Sequence, residues 1–147
     1  MTIRVWTKED IPKLADLERR CFSDPWSENE LGGCLGLPVY KTYLLEESGE
    51  LLGYACQFIV CEDAEILNIA VAPEQRNKGF GGVLMEEMLR DAKALGAEKA
   101  FLEVRKTNLG AQRLYRRFDF EEYGVRKNYY PDGEDAILMQ RRFACAK

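Results

Sequence analysis

Gln75-Arg76-Asn77-Lys78-Gly79-Phe80-Gly81-Gly82 is the stretch on which the fold turns, because it separates an apolar run, Ala64 to Ala72, from the strongest helical stripe in the chain. That stripe is Phe80, Val83, Leu84, Met88, Ala92 and Leu95, an amphipathic helix of about four turns that Gly96 ends. A helix start offers unpaired N–H groups and a partial positive charge, and glycines let the backbone approach an anion closely. The turn therefore suits a pyrophosphate; a plain tight turn permitted by glycine is the alternative. A P-loop is excluded, since no G-K-[ST] ends the motif. A dinucleotide fingerprint begins correctly at Gly79-Phe80-Gly81, with Glu103 at a suitable distance for a ribose, but Leu84 stands at its third glycine.

On the C-terminal side, Ala100 to Val104 is a compact apolar run, which makes Ala64 to Val104 a strand-helix-strand crossover. Asn108 to Phe118 reads as a shorter helix, and Glu121 to Tyr129 and Asp135 to Arg141 as strands around Pro131-Asp132-Gly133. On the N-terminal side, Tyr40 to Glu46 and Leu51 to Cys61 flank Ser48-Gly49 as a hairpin, and Glu62-Asp63 turns the chain into the third strand of a meander. Thr2 to Trp6 alternates as a strand, and Thr7 caps a helix carrying Ile11, Leu14, Leu17 and Phe22. Pro25 breaks that helix, and Ser27 with Glu30 forms a capping box for another. The expectation is one α/β domain over residues 1–147.

Composition narrows the function. With 46% hydrophobic and 31% charged residues the chain is globular in character, and a net charge of −4 disfavours a general nucleic-acid binder. Arg76 with Lys78, and Arg113 with Arg116 and Arg117, are basic islands that face either an anionic ligand or solvent. Five cysteines (Cys21, Cys34, Cys56, Cys61, Cys145) form no C-x-x-C pair and fit a reducing compartment. The lack of histidine removes the usual general base and the commonest zinc ligand, so no metal is expected. Met1 to Trp6 opens no signal peptide and no run approaches a membrane span, so a cytoplasmic location is expected, without membrane or nucleic-acid partners.

Two residues stand out for proton transfer. Glu103 interrupts Ala100-Phe101-Leu102-Glu103-Val104, where a carboxylate without a role is costly; it is either a base or the partner of Arg105 on the same strand face. Tyr115 lies seven residues after Asn108, on one face of the last helix, and is either a core tyrosine or a phenolic proton donor.

Arg76-Asn77-Lys78-Gly79-Phe80-Gly81 at a strand-to-helix turn resembles the R-x-x-G-x-G loop of the GNAT acetyltransferases, and the order of elements is similar too. The resemblance implies a mixed, mostly antiparallel sheet flanked by helices. It also implies acetyl-CoA as co-substrate, its pantetheine arm on Ile69, Ala70 and Val71 and its pyrophosphate on Arg76, Asn77, Lys78, Gly79, Phe80, Gly81 and Gly82.

Within that family the chain resembles the bacterial enzymes acting on a ribosomal-protein alanine. The matching strings are Phe22 to Ser27, Asn68-Ile69-Ala70-Val71, Leu102-Glu103-Val104-Arg105, Asn108-x-x-Ala111-x-x-x-Tyr115 and Arg126-Lys127-Asn128-Tyr129-Tyr130. By this resemblance Glu103 is the proton acceptor, Tyr115 the donor to the thiolate and Asn108 a coenzyme A contact. The implied substrate is the N-terminal alanine of a small-subunit ribosomal protein, the one numbered eighteen. Tyr129 and Tyr130 either hold its backbone or only pack a strand end, and Trp26 with them favours a peptide over a lysine or small-molecule amine. A coenzyme A or nucleotide-binding module without catalysis is the non-enzymatic alternative. Asp119 replaces the family's usual glycine at a turn, a position it tolerates better than most residues.

Overall fold

The computed structural model describes residues 1–144; Cys145 lies outside the described residues. Seven strands form one sheet in the order β1-β2-β3-β4-β5-β7-β6, with β1 Thr2–Arg4, β2 Tyr40–Glu47, β3 Glu50–Val60, β4 Asp63–Val71, β5 Lys99–Arg105, β6 Glu121–Arg126 and β7 Ala136–Arg142. The β2–β3 hairpin closes through Ser48 (φ 51°) and Gly49 (φ 80°), two left-handed residues whose twist suits a two-residue turn. Every neighbouring pair is antiparallel except β4 and β5, joined by the crossover helix α3, Phe80–Ala94.

The parallel pair opens the site. β4 and β5 are in register only from Asp63↔Lys99 to Glu65↔Phe101, and beyond that they diverge. β4 also carries a bulge: Cys56 pairs with Asn68 but Gln57 with Ile66, so Leu67 is the extra residue. The bulge switches the face that alternate residues present. Ile66 packs in the core under α3 and α4 (Leu109–Arg117), with Met88, Leu102 and Tyr115, whereas Leu67 and Ala70 pack on the opposite core with Leu14, Leu31 and Tyr54. That second core lies under α1, Ile11–Cys21, and α2, Glu28–Gly32.

Local chemistry explains most boundaries. Ser27 accepts from the Glu30 N–H and Glu30 accepts from the Ser27 N–H, both at 3.1 Å, which completes the expected capping box. Gly96 (φ 92°) ends α3, and Asp119 (φ 69°) takes the left-handed position after α4. Three expected boundaries shift by more than one residue. β1 stops at Arg4, because the Trp6 ring turns into the second core and its Nε1 donates to the Tyr43 carbonyl at 2.9 Å. The Thr7 cap serves a 3₁₀ turn, Lys8–Asp10, ahead of α1, held by the Thr7 N–H donating to Asp10 at 2.7 Å. β6 ends at Arg126 rather than Tyr129, since Asn128 (φ 53°) leaves the ladder and donates its N–H to Asp135 at 2.9 Å.

Candidate active site

The loop before α3 has the backbone form of an anion cradle. Asn77 (φ 64°) and Gly79 (φ 87°) are both left-handed, which curls the chain so that the N–H groups from Asn77 to Gly82 find no acceptor among the described residues. Its glycines do different work. Gly79 meets the positive φ, while a Cβ on Gly81 would lie 3.1 Å from the Leu114 side chain, so Gly81 lets α3 and α4 approach. Arg76 folds back, donating to the Val71 carbonyl at 3.3 Å and reaching the Cys21 sulfur at 3.5 Å. Lys78 donates to the Gln75 amide oxygen at 3.1 Å and lies outside the lining of the groove beside it.

That groove, about 900 Å³, follows the gap between β4 and β5. Ile69, Ala70 and Val71 line it; they pair with Ala55, Tyr54 and Gly53 of β3 and have no ladder partner on the β5 side, so that edge of β4 is free. The residues present fit coenzyme A: open N–H groups at a helix start suit the diphosphate, and an unpaired strand edge suits an amide-bearing arm. Asn108 lines the groove as the N-cap of α4, its Oδ1 accepting from the Ala111 N–H at 3.2 Å.

Glu103 and Tyr115 also line the groove. The Glu103 side chain is 25% exposed and pairs with Arg126 at 3.5 Å. It does not pair with Arg105, which instead bonds Asp24 (2.9 Å), Asp132 (2.9 Å) and Glu134 (2.7 Å) and stacks on Tyr130 with its guanidinium carbon 4.1 Å from the ring centre. Arg105 thereby latches the turn after α1 to the β6–β7 loop. Tyr115 is 6% exposed and sits edge-on to Phe120, and its hydroxyl has no hydrogen-bond partner among the described residues. Burial, and after it Tyr130, pushes its pKa up, which keeps the phenol protonated. Tyr130 lines the groove and is itself pushed up to about 12, by burial first and then by Glu103. Tyr129 lies outside the lining and is 42% exposed, but its hydroxyl approaches Glu103, and that approach, more than burial, raises its pKa. Trp26 lines the groove.

Sequence reasoning missed Glu18. This α1 carboxylate is 1% exposed and lines the groove, accepting from the Tyr54 hydroxyl at 2.5 Å, the Trp26 N–H at 3.1 Å and the Asn68 amide. It ties the aromatic turn to the β4 bulge, and burial raises its pKa despite those donors. Its signal was a charge on the apolar stripe of α1, four residues after Leu14.

A mixed sheet split between two parallel strands, with an anion cradle at one end of the split and a carboxylate and a phenol along it, defines an acyl-CoA-dependent transferase. The sequence pattern of the Acetyltransferase (GNAT) family matches residues 11–120, and this chain belongs to that family: it is an acyltransferase with acetyl-CoA as co-substrate. It is 39% identical over 139 residues to the putative [ribosomal protein bS18]-alanine N-acetyltransferase of Bacillus subtilis, covering 93% of this chain and 92% of that one. It is 35% identical over 141 residues to the [ribosomal protein bS18]-alanine N-acetyltransferase of Escherichia coli, covering 94% and 95% of the two chains. The crystal structure of the ribosomal-protein-S18-alanine N-acetyltransferase from Escherichia coli superimposes with a TM-score of 0.91 over 99% of this chain and 96% of that one, at 34% identity. No helix among the described residues is long and apolar enough to cross a membrane.

Proposed function

We propose that this protein acetylates the α-amine of the N-terminal alanine of ribosomal protein bS18, with Glu103 accepting a proton from the amine and Tyr115 donating to the departing sulfur. The relatives named for that activity, which match over nearly their whole length, support the acceptor. The observation that carries the chemistry is that a carboxylate and an unpartnered, protonated phenol line one groove beside a free strand edge.

Acetyl-CoA supplies an activated thioester. The free edge of β4 at Ile69 to Val71 orients that thioester through backbone donors and acceptors, while the N–H groups of Asn77 to Gly82 hold the diphosphate. Among the described residues the Asn108 amide nitrogen has no acceptor and is open to donate, since its oxygen serves as the cap. An α-amine has an ordinary pKa of about 7.7 to 8.0, so a carboxylate within reach, or one water away, suffices as base near neutral pH. Trp26, Tyr129 and Tyr130 flank the acceptor end.

The test incubates the protein with acetyl-CoA and a peptide carrying the bS18 N-terminus, and mass spectrometry locates the acetyl group. The expected product is acetylated on the α-amine. Modification of a lysine in the same peptide with its α-amine blocked would overturn the proposal.

A further inference from the structure

Away from the groove, the strand register builds a second feature. Tyr40, Phe58, Glu65, Phe101 and Gln140 are direct cross-strand partners on β2, β3, β4, β5 and β7, so their side chains form one row on one face of the sheet. Phe101, Glu103 and Arg105 alternate onto that same face, and Arg105 reaches Asp24, so the row lies on the acceptor side; Ala100, Leu102 and Val104 enter the opposite core. Glu65 thus stands between two phenylalanine rings, and Tyr123 packs edge-on to Phe101 at 6.3 Å as an outer wall.

Phe58, Glu65 and Phe101 line a concavity of about 480 Å³ with Val60, Glu62 and Asp63, and no basic side chain lines it. The Glu65 carboxylate has no ion pair or hydrogen bond among the described residues. Arg126 is engaged with Glu103, and Lys99, opposite Asp63 in the register, lies outside the lining. Partial desolvation, and after it the Glu103 carboxylate, keeps the Glu65 pKa above the ordinary value against the pull of Arg126. The charge of an incoming cation would stabilise the Glu65 carboxylate against both effects, and aromatic ring faces attract cations.

We propose that Glu65, walled by Phe58 and Phe101, is a subsite for the lysine or arginine side chain of an acceptor polypeptide, one or two residues beyond its acetylated N-terminus. Glu65 lies one strand over and two residues back from Glu103, about 7 Å along the strands and about 5 Å across, and an extended peptide advances about 3.4 Å per residue. Residue two or three of an acceptor whose amine meets Glu103 therefore delivers its side chain there. The subsite rests on the N-terminal reading above.

The experiment compares alanine-starting peptides with arginine, lysine or glutamine at positions two and three, using kcat/KM for acetyl transfer and calorimetric binding to the coenzyme A complex. Wild type should favour the cationic peptides by about tenfold, with the preference shrinking as salt rises. Glu65→Gln should bring the ratio to about one, and Glu65→Lys should turn it against cations. Equal handling of all peptides by wild type, or an undiminished preference in Glu65→Gln, would overturn the subsite. If no peptide is acetylated, the N-terminal reading fails, and the binding ratio still decides the subsite.

Discussion

The two sides of the split between β4 and β5 are built differently. The side proposed to hold the cofactor is a continuous piece of chain, Ile69 to Gly82, that presents mainly backbone: a free strand edge, then successive N–H groups. The side proposed to take the acceptor is assembled from side chains of distant segments, with Asp24 and Trp26 before α2, Glu103 and Arg105 on β5, and Tyr129 to Glu134 in the β6–β7 loop. Backbone recognition tolerates changes of sequence and requires only the right φ angles. Side-chain recognition depends on each residue and on whatever holds it in place. The two sides should therefore fail in different ways.

The largest effect is expected where the sides meet. Glu103→Gln keeps the shape and removes the proposed base, so kcat should fall by roughly 10² to 10⁴ while coenzyme A affinity, measured by calorimetry, stays near wild type. Tyr115→Phe should also lower kcat, and the double variant should fall short of the product of the two single losses, because both act on one transfer. Full activity in either single variant would remove that residue from the chemistry.

On the cofactor side, Gly79→Val forces a β-branched residue to a φ of 87°. Strain of about 1 to 3 kcal/mol should weaken coenzyme A binding by roughly 5-fold to 150-fold. The acceptor KM at saturating acetyl-CoA should barely move. A matching change in acceptor KM would show that the two sides are not separable.

On the acceptor side, Arg105→Met breaks the latch to Asp24, Asp132 and Glu134 and the stack on Tyr130. The acceptor KM should rise by roughly tenfold through misplacement of the flanking loops, with coenzyme A affinity unchanged. Steady-state kinetics with each substrate varied in turn would check this.

This same division decided what was legible in the sequence. The turn at Arg76 to Gly82, the α3 stripe, the Ser27–Glu30 box and the tolerance of Asp119 for a left-handed turn are local, and each is readable from adjacent residues. The splay and the bulge at Leu67 depend on pairing between strands, which no local pattern encodes. Glu103 invited a partner two residues away, but Arg105 was claimed by carboxylates up to 81 positions distant and Glu103 fell to Arg126. Gly81 read as room for an anion, and it lines the groove, but the direction of its missing Cβ is taken by Leu114 of another helix, which no adjacent residue announces. Glu18 was invisible for a similar reason: Tyr54 and Asn68 lie 36 and 50 positions away.

Glu18 also gives the smallest and most discriminating prediction, because it ties the two sides together. Its folded pKa is raised, chiefly by burial, above the ordinary carboxylate value of about 4.3. A carboxyl group that holds its proton more tightly in the folded protein loses stabilising effect as pH rises through that window, since the unfolded chain releases the proton first. Wild type should therefore lose stability relative to Glu18→Gln as pH increases from about 4 toward neutrality, as read by denaturant midpoints across pH. The amide introduced by Glu18→Gln keeps one oxygen to accept from the Trp26 N–H, but its nitrogen cannot accept from Tyr54 or Asn68. Acceptor KM should then rise modestly even where the variant is the more stable. Stability and binding moving in opposite directions would identify Glu18 as a positioning residue held at a cost to the fold. A parallel loss of both would make it an ordinary core hydrogen-bond partner.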